Sequence, residues 1–134
     1  MGKGSTITHD SLIERPAHPV GYLAIVMAVI TGVLHLVAST NAIEFSAVLA
    51  VLFVLNGVGF LAGTALYLTR FWEQWLYLVA VAYAVVTILA LFPVQGFGVE
   101  AFYMDGSLNP LIVITKVAEA VLAASAGYLY LEAT

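Results

Sequence analysis

Four apolar runs, Val20–Ala38, Ser46–Leu68, Trp72–Phe92 and Pro110–Leu131, fill most of this chain of 134 residues. Each is close to the roughly 20 helical residues that cross a hydrocarbon core about 30 Å thick. Charged side chains make up 9% of the chain and hydrophobic ones 63%. A soluble domain carries about 25% charged residues, so there is too little charge here to build a water-facing surface. The runs are apolar on every side. The strands of a membrane barrel would be about 10 residues long and would alternate apolar with polar. Helices satisfy their own backbone hydrogen bonds, as lipid demands. The expected fold is all-α: a polytopic four-helix transmembrane bundle running up-down-up-down.

Residues 1–19 read as a polar N-terminal arm holding Pro16 and Pro19, and residues 20–134 as one transmembrane domain. The first run is longer than a signal-peptide core and lacks a small-residue cleavage site. There is no internal repeat. Lys3 and Arg15 precede the first span, and Arg70 lies between the second and third. The segments Ser39–Phe45 and Pro93–Asn109 carry Glu44, Glu100 and Asp105 but no base. Basic residues stay on the cytoplasmic side, so a plasma-membrane protein with both termini cytoplasmic is expected. Tyr22, Phe71, Trp72, Trp75, Tyr128 and Tyr130 suit an inner aromatic belt, and Phe92, Phe97, Phe102 and Tyr103 an outer one. The alternative is that the loop aromatics pack on helix ends. The first two links are short, which predicts helices 1, 2 and 3 as successive antiparallel neighbours. The third is long. Its Gly96, Gly98 and Gly106 mark turns, and Asn109 followed by Pro110 reads as an N-cap with proline at the first helical position.

Small residues let helices approach closely in lipid. The expected packing residues are Ala24, Ala28 and Gly32 on helix 1, Gly59 and Gly63 on helix 2, and Ala120, Ala123 and Gly127 on helix 4. Helix 3 offers a weaker stripe of Ala80, Ala84 and Thr87. His35 extends the first stripe, Asn56 the second and Lys116 the third, with Glu119 beside it. At a rise of 1.5 Å per residue, His35 falls about 5 Å and Lys116 about 10 Å below the outer edge of the hydrocarbon, with Asn56 and Glu119 near its middle. Thr31, Ser39 and Thr87 lie at similar depths. These positions predict an intramembrane polar site of His35, Asn56, Lys116 and Glu119, open toward the outside. Lys116 and Glu119 are three apart and can pair. Charges inside a span are costly and usually mark function. The competing reading makes them a neutral pair that fixes packing, or lets Lys116 snorkel to the interface.

The chain has no cysteine, which excludes disulfides, thiolate catalysis and cysteine-based metal centres. No residue is assigned a catalytic or metal-binding role. Gly57–Val58–Gly59 lies inside a span, so it is no nucleotide loop, and no serine, histidine and aspartate are placed as a triad. The net charge of −4 comes with no basic patch for nucleic acid. His35 is the only histidine in a span, and bis-histidine haem within one chain would need a second, so it is not expected. A single axial ligand, a haem shared across a dimer, or a quinone beside His35 remain as minor alternatives, and no cofactor is predicted.

The segments Thr31–Gly32–Val33–Leu34–His35–Leu36, Phe53–Val54–Leu55–Asn56–Gly57–Val58–Gly59–Phe60, Trp75–Leu76–Tyr77–Leu78–Val79, Thr115–Lys116–Val117 and Gly127–Tyr128–Leu129–Tyr130 resemble a family of small four-helix membrane proteins of halophilic archaea. The resemblance covers nearly all of the spans but not the arm. It implies the fold and the membrane location and carries no activity. In the family's pattern an acidic residue precedes the base that enters helix 4. Here Thr115 precedes Lys116, so the charge pair is not carried over.

Three readings of function follow. The first is a non-catalytic accessory or assembly subunit of a larger membrane complex, respiratory ones included. It rests on the small size, the small-residue faces and an arm suited to docking. The second is a small oligomeric transporter or proton/ion conductor using the polar site. The third is a quinone- or haem-binding redox subunit. The expected partners are the lipid bilayer and either other membrane subunits or further copies of the chain.

Overall fold

A computed structural model describes residues 11–133. Among the described residues are four α-helices: α1 (Pro19–Ala42), α2 (Ala47–Tyr67), α3 (Trp75–Gln95) and α4 (Pro110–Glu132). All four are long and apolar enough to cross a membrane, and the fold is an all-α four-helix bundle. The large side chains left outside suit lipid rather than water. Val26, Val29, Val33 and Val37 of α1 and Val51, Leu55 and Val58 of α2 are all exposed. Residues 1–10, which include Lys3 and His9, lie outside the described residues.

Local signals set the helix ends. The His18 Nδ1 accepts from the Val20 N–H at 3.0 Å, with Pro19 as the first helical residue. Ser46 caps α2 through the Leu49 N–H. Asn109 caps α4 through the Leu111 N–H, again followed by proline. α1 runs four residues beyond the apolar run that ends at Ala38, because the Ser39 and Thr40 hydroxyls bond back to the Leu36 and Val37 carbonyls. α3 starts at Trp75 rather than Trp72. Trp72 is buried and meets the rings of Tyr67 and Tyr77 edge-on, so it packs on helix ends instead of joining a belt. The long link contains a short 3₁₀ turn (Val99–Phe102) and a two-stranded hairpin, β1 (Tyr103–Met104) with β2 (Ser107–Leu108). Its turn residues Asp105 and Gly106 both have positive φ, 53° and 82°, as a two-residue type I′ turn requires.

The arm docks. The Glu14 N–H donates to the Leu68 carbonyl at 2.8 Å, and the Arg70 N–H to the Leu12 carbonyl at 2.9 Å. Residues 12–14 thus lie along the α2–α3 link, and buried Pro16 sits against Gly21.

α1 packs against α2 and α4, and α3 packs against α4. The expected α1–α2 neighbours are adjacent. The expected α2–α3 pairing is corrected, because those backbones do not close on each other. The Tyr83 side chain stands between them, meeting the Phe60 ring at 4.8 Å and donating from its hydroxyl to the Asn56 carbonyl at 3.0 Å.

The α1–α2 crossing uses Gly32 and Gly57. A Cβ on Gly57 would lie 2.7 Å from the Gly32 carbonyl oxygen, and a Cβ on Gly32 would lie 3.2 Å from that of Gly57. Ala24 and Ala28 are buried on the same face of α1. The other expected packing residues are placed differently. Gly59 makes room for the Tyr83 hydroxyl rather than for a backbone. A Cβ on Gly63 would meet nothing within 4 Å. On α4 the inward face runs through Thr115, Ala118, Glu119, Leu122, Ser125, Ala126 and Leu129. The expected stripe is rotated off it: Ala120 is exposed, and Ala123 and Gly127 are half-buried. The carboxylate of Glu119 sets this rotation, since it needs partners that lipid lacks.

Candidate functional site

The α1–α2 and α3–α4 connections lie at one end of the bundle, the hairpin end. The arm, the α2–α3 link and the C-terminal turn of α4 lie at the other, the arm end. Every sequence-predicted polar residue sits in the hairpin half or at mid-helix.

Glu119 is fully buried. An uncompensated carboxylate there would cost several kcal/mol, and three groups attend it. The Lys116 Nζ lies 2.7 Å from Oε1. The Thr31 hydroxyl of α1 donates to Oε2 at 2.5 Å. The His35 Nδ1 lies 3.8 Å from Oε2, beyond hydrogen-bonding reach. His35 instead approaches its own helix, with Nδ1 2.8 Å from the Thr31 carbonyl. A carbonyl can only accept, so Nδ1 carries the proton and Nε2 is the acceptor in the neutral ring. The ring lies between Phe53 and Phe60, at centroid distances of 5.6 and 6.2 Å. Thr31 therefore holds both His35 and Glu119, and it ties α1 to α4.

A second branch leaves through Lys116. Its Nζ also donates to the Thr87 carbonyl of α3 at 3.2 Å. The Thr87 hydroxyl donates to the Tyr83 carbonyl and accepts from the Asn56 Nδ2 at 2.9 Å. The structure thus brings His35, Asn56, Lys116 and Glu119 into one network across four helices. Two threonines at equivalent depth, Thr31 and Thr87, make the joints. Tyr83 is the member sequence reasoning missed. A tyrosine inside a span, away from either belt, was the available signal.

The network orders helices and can hold a proton or a small polar species among its oxygens. Among the described residues it does not continue toward the arm end as a charged path. Below it the core is Ala24, Ala28, Phe60, Leu122 and Leu129. Among the described residues no three metal-ligating side chains gather. His35 has the aromatic neighbours expected of a quinone-binding histidine. However, the apolar cavity of about 170 Å³ in the arm half is lined by other residues, including Phe60, Gly63, Tyr67, Tyr77 and Leu122.

The chain belongs to a family of unknown function, DUF7475, whose model matches residues 6–130. No curated protein and no solved structure matches it.

Proposed function

We propose that this member of the DUF7475 family is a non-catalytic subunit of a larger membrane complex, with its intramembrane charges serving as a lock between helices. One observation carries this reading. The two charged groups inside the spans, away from the span ends, are Lys116 and Glu119, and they are engaged with each other and with groups of neighbouring helices. A conductor needs a polar route from face to face, and the arm half offers an apolar core instead. The exposed faces of α2 and the arm laid along the α2–α3 link are the surfaces a partner subunit would use. We place the protein in the cell membrane with both termini cytoplasmic. Arg15 and Arg70 at the arm end, against Glu44, Glu100 and Asp105 at the hairpin end, support this orientation. The excess of acids over bases, 8 to 4, suits a halophilic archaeal source.

Native mass spectrometry of the tagged protein, released gently from its own membranes, tests the proposal. Stoichiometric foreign subunits are expected. A homo-oligomer without foreign subunits would sink it and favour a small oligomeric transporter or ion conductor. That second reading draws support from the Asn56 Oδ1, which is buried without a partner on the network.

A further inference from the structure

Between α2 and α3 the bundle leaves a space that the chain does not fill. Its walls come from all four helices and include the small residues Ala24, Ala28, Gly63 and Ala80. A side chain at Gly63 would enter it unopposed. The space, about 170 Å³, would hold a chain of roughly five methylene-sized groups at the ~30 Å³ of a water each. An apolar cavity excludes water, and walls without partner atoms lose their dispersion contacts. In a bilayer the filler at hand is hydrocarbon. The space is open to it, since Leu66 of α2 and Val79 of α3 line the cavity and are also exposed on the bundle's outside.

The arm end of the space is polar. A second cavity, about 180 Å³, adjoins the first across Tyr67, Tyr77 and Leu129 and is lined by His18 and Glu132. The Tyr77 hydroxyl donates toward that of Tyr67 at 3.5 Å, and both residues line both spaces. This junction lies at the ends of α2 and α4 and the start of α3, at interfacial depth. Among the described residues no lysine or arginine lines either cavity, and Glu132 lines the second. That lining repels a phosphate or carboxylate head and accepts a neutral one that can hydrogen-bond.

We propose that this space binds a membrane amphiphile, with one apolar chain between α2 and α3 and a small uncharged head at the recess formed by Tyr67, Tyr77, His18 and Glu132. The site stands whether or not the chain is a subunit of a complex.

Trp72 lines the cavity, and the chain has two tryptophans. Replacing exposed Trp75 by phenylalanine leaves Trp72 as the only reporter. The full chain carrying Trp75→Phe, in phosphatidylcholine nanodiscs, is titrated with 2-decyl-1,4-benzoquinone, whose ring quenches indole fluorescence. Saturable quenching is expected. Dodecanol should relieve it and dodecyl phosphate should not. Adding Gly63→Phe should weaken the apparent affinity about tenfold, as a filled site would. Ala80→Leu narrows the same space from α3 and should act in the same direction if the Gly63 variant does not fold. Quenching that rises linearly with probe and is unchanged in whichever variants fold would overturn the site. Equal displacement by dodecyl phosphate would overturn the assignment of an uncharged head.

Discussion

The two halves of the bundle hold their helices together by opposite means. In the hairpin half, Thr31, Thr87, Lys116 and Glu119 join three helices through directional bonds, and Gly32 and Gly57 bring two backbones into contact. In the arm half no charged group among the described residues enters the core. Aromatic edges at Tyr67, Trp72 and Tyr77 close the end, and α2 and α3 stand apart around a cavity. Lipid offers no hydrophobic force between helices, so association rests on close packing and hydrogen bonds. The hairpin half has both. The arm half has neither between α2 and α3, and a lipid-soluble molecule can enter there. The same kind of substitution should therefore have different consequences in the two halves.

The sharpest test is the buried pair. Glu119→Leu leaves the Lys116 ammonium with a single backbone carbonyl in a nearly dry site. Breaking one side of a buried ion pair costs about 3–5 kcal/mol, and a loss of that order is expected in detergent-denaturant unfolding. The double variant Lys116→Met with Glu119→Gln removes both charges and should recover most of it. If the double variant is no more stable than the single one, the pair is not a lock. Loss of a transport or redox phenotype with normal assembly in the double variant would sink the packing role as well.

Glycine separates the halves next. Gly57→Leu drives a side chain toward the Gly32 carbonyl, which sits 2.7 Å from where the Cβ would be. Overpacking of this kind costs about 3 kcal/mol when backbone must yield. Gly63→Leu, about 1.7 turns further along α2, points into open space. It should cost nothing and can gain from helix propensity, where glycine is about 1 kcal/mol worse than alanine. Thermal unfolding of both variants in one detergent decides this. Equal losses would mean that α2 and α3 close on each other in the membrane.

Much of this architecture was legible beforehand, and what was not has identifiable physical causes. The spans follow from apolar length alone. The convergence of His35, Asn56, Lys116 and Glu119 followed from depth and from the cost of polar groups in lipid. Small residues alone do not mark the inward face of α4, because the carboxylate decides it. Ala120 is small and exposed, while Glu119 is large, charged and fully buried. Asp105–Gly106 carried a hairpin signal inside a segment read only as turns. The gap between α2 and α3 has no sequence signature, since it arises where Tyr83 props two helices apart and the small residues below leave nothing to fill the space.

Thr31→Val is the intermediate case. It removes the hydroxyl that donates to Glu119 while keeping the shape and the His35–carbonyl bond. A hydrogen bond to a charged group contributes about 1.5–3 kcal/mol, and the expected loss lies near the lower end because Lys116 remains. Unfolding of Thr31→Val in the Glu119→Gln background should show less than the sum of the two single losses. Simple additivity would mean the hydroxyl and the carboxylate do not act together.

The smallest effect is expected at Asn56, and it runs against intuition for a polar residue in a span. The Thr87 hydroxyl is committed to the Tyr83 carbonyl, so Asn56 must present its Nδ2 to it, and Oδ1 is left buried without a partner. The residue gains one interhelical bond, which in membranes averages about 0.6 kcal/mol, and bears the cost of one orphan acceptor. Asn56→Leu removes both and should shift stability by less than about 0.5 kcal/mol. Thr87→Val keeps the amide but strips its partner, so it should cost more than Asn56→Leu, about 1 kcal/mol. Measuring the pair in one unfolding assay gives the order directly. If Asn56→Leu proves the costlier, Oδ1 holds something in the membrane, and the hairpin half binds a ligand as well as locking helices.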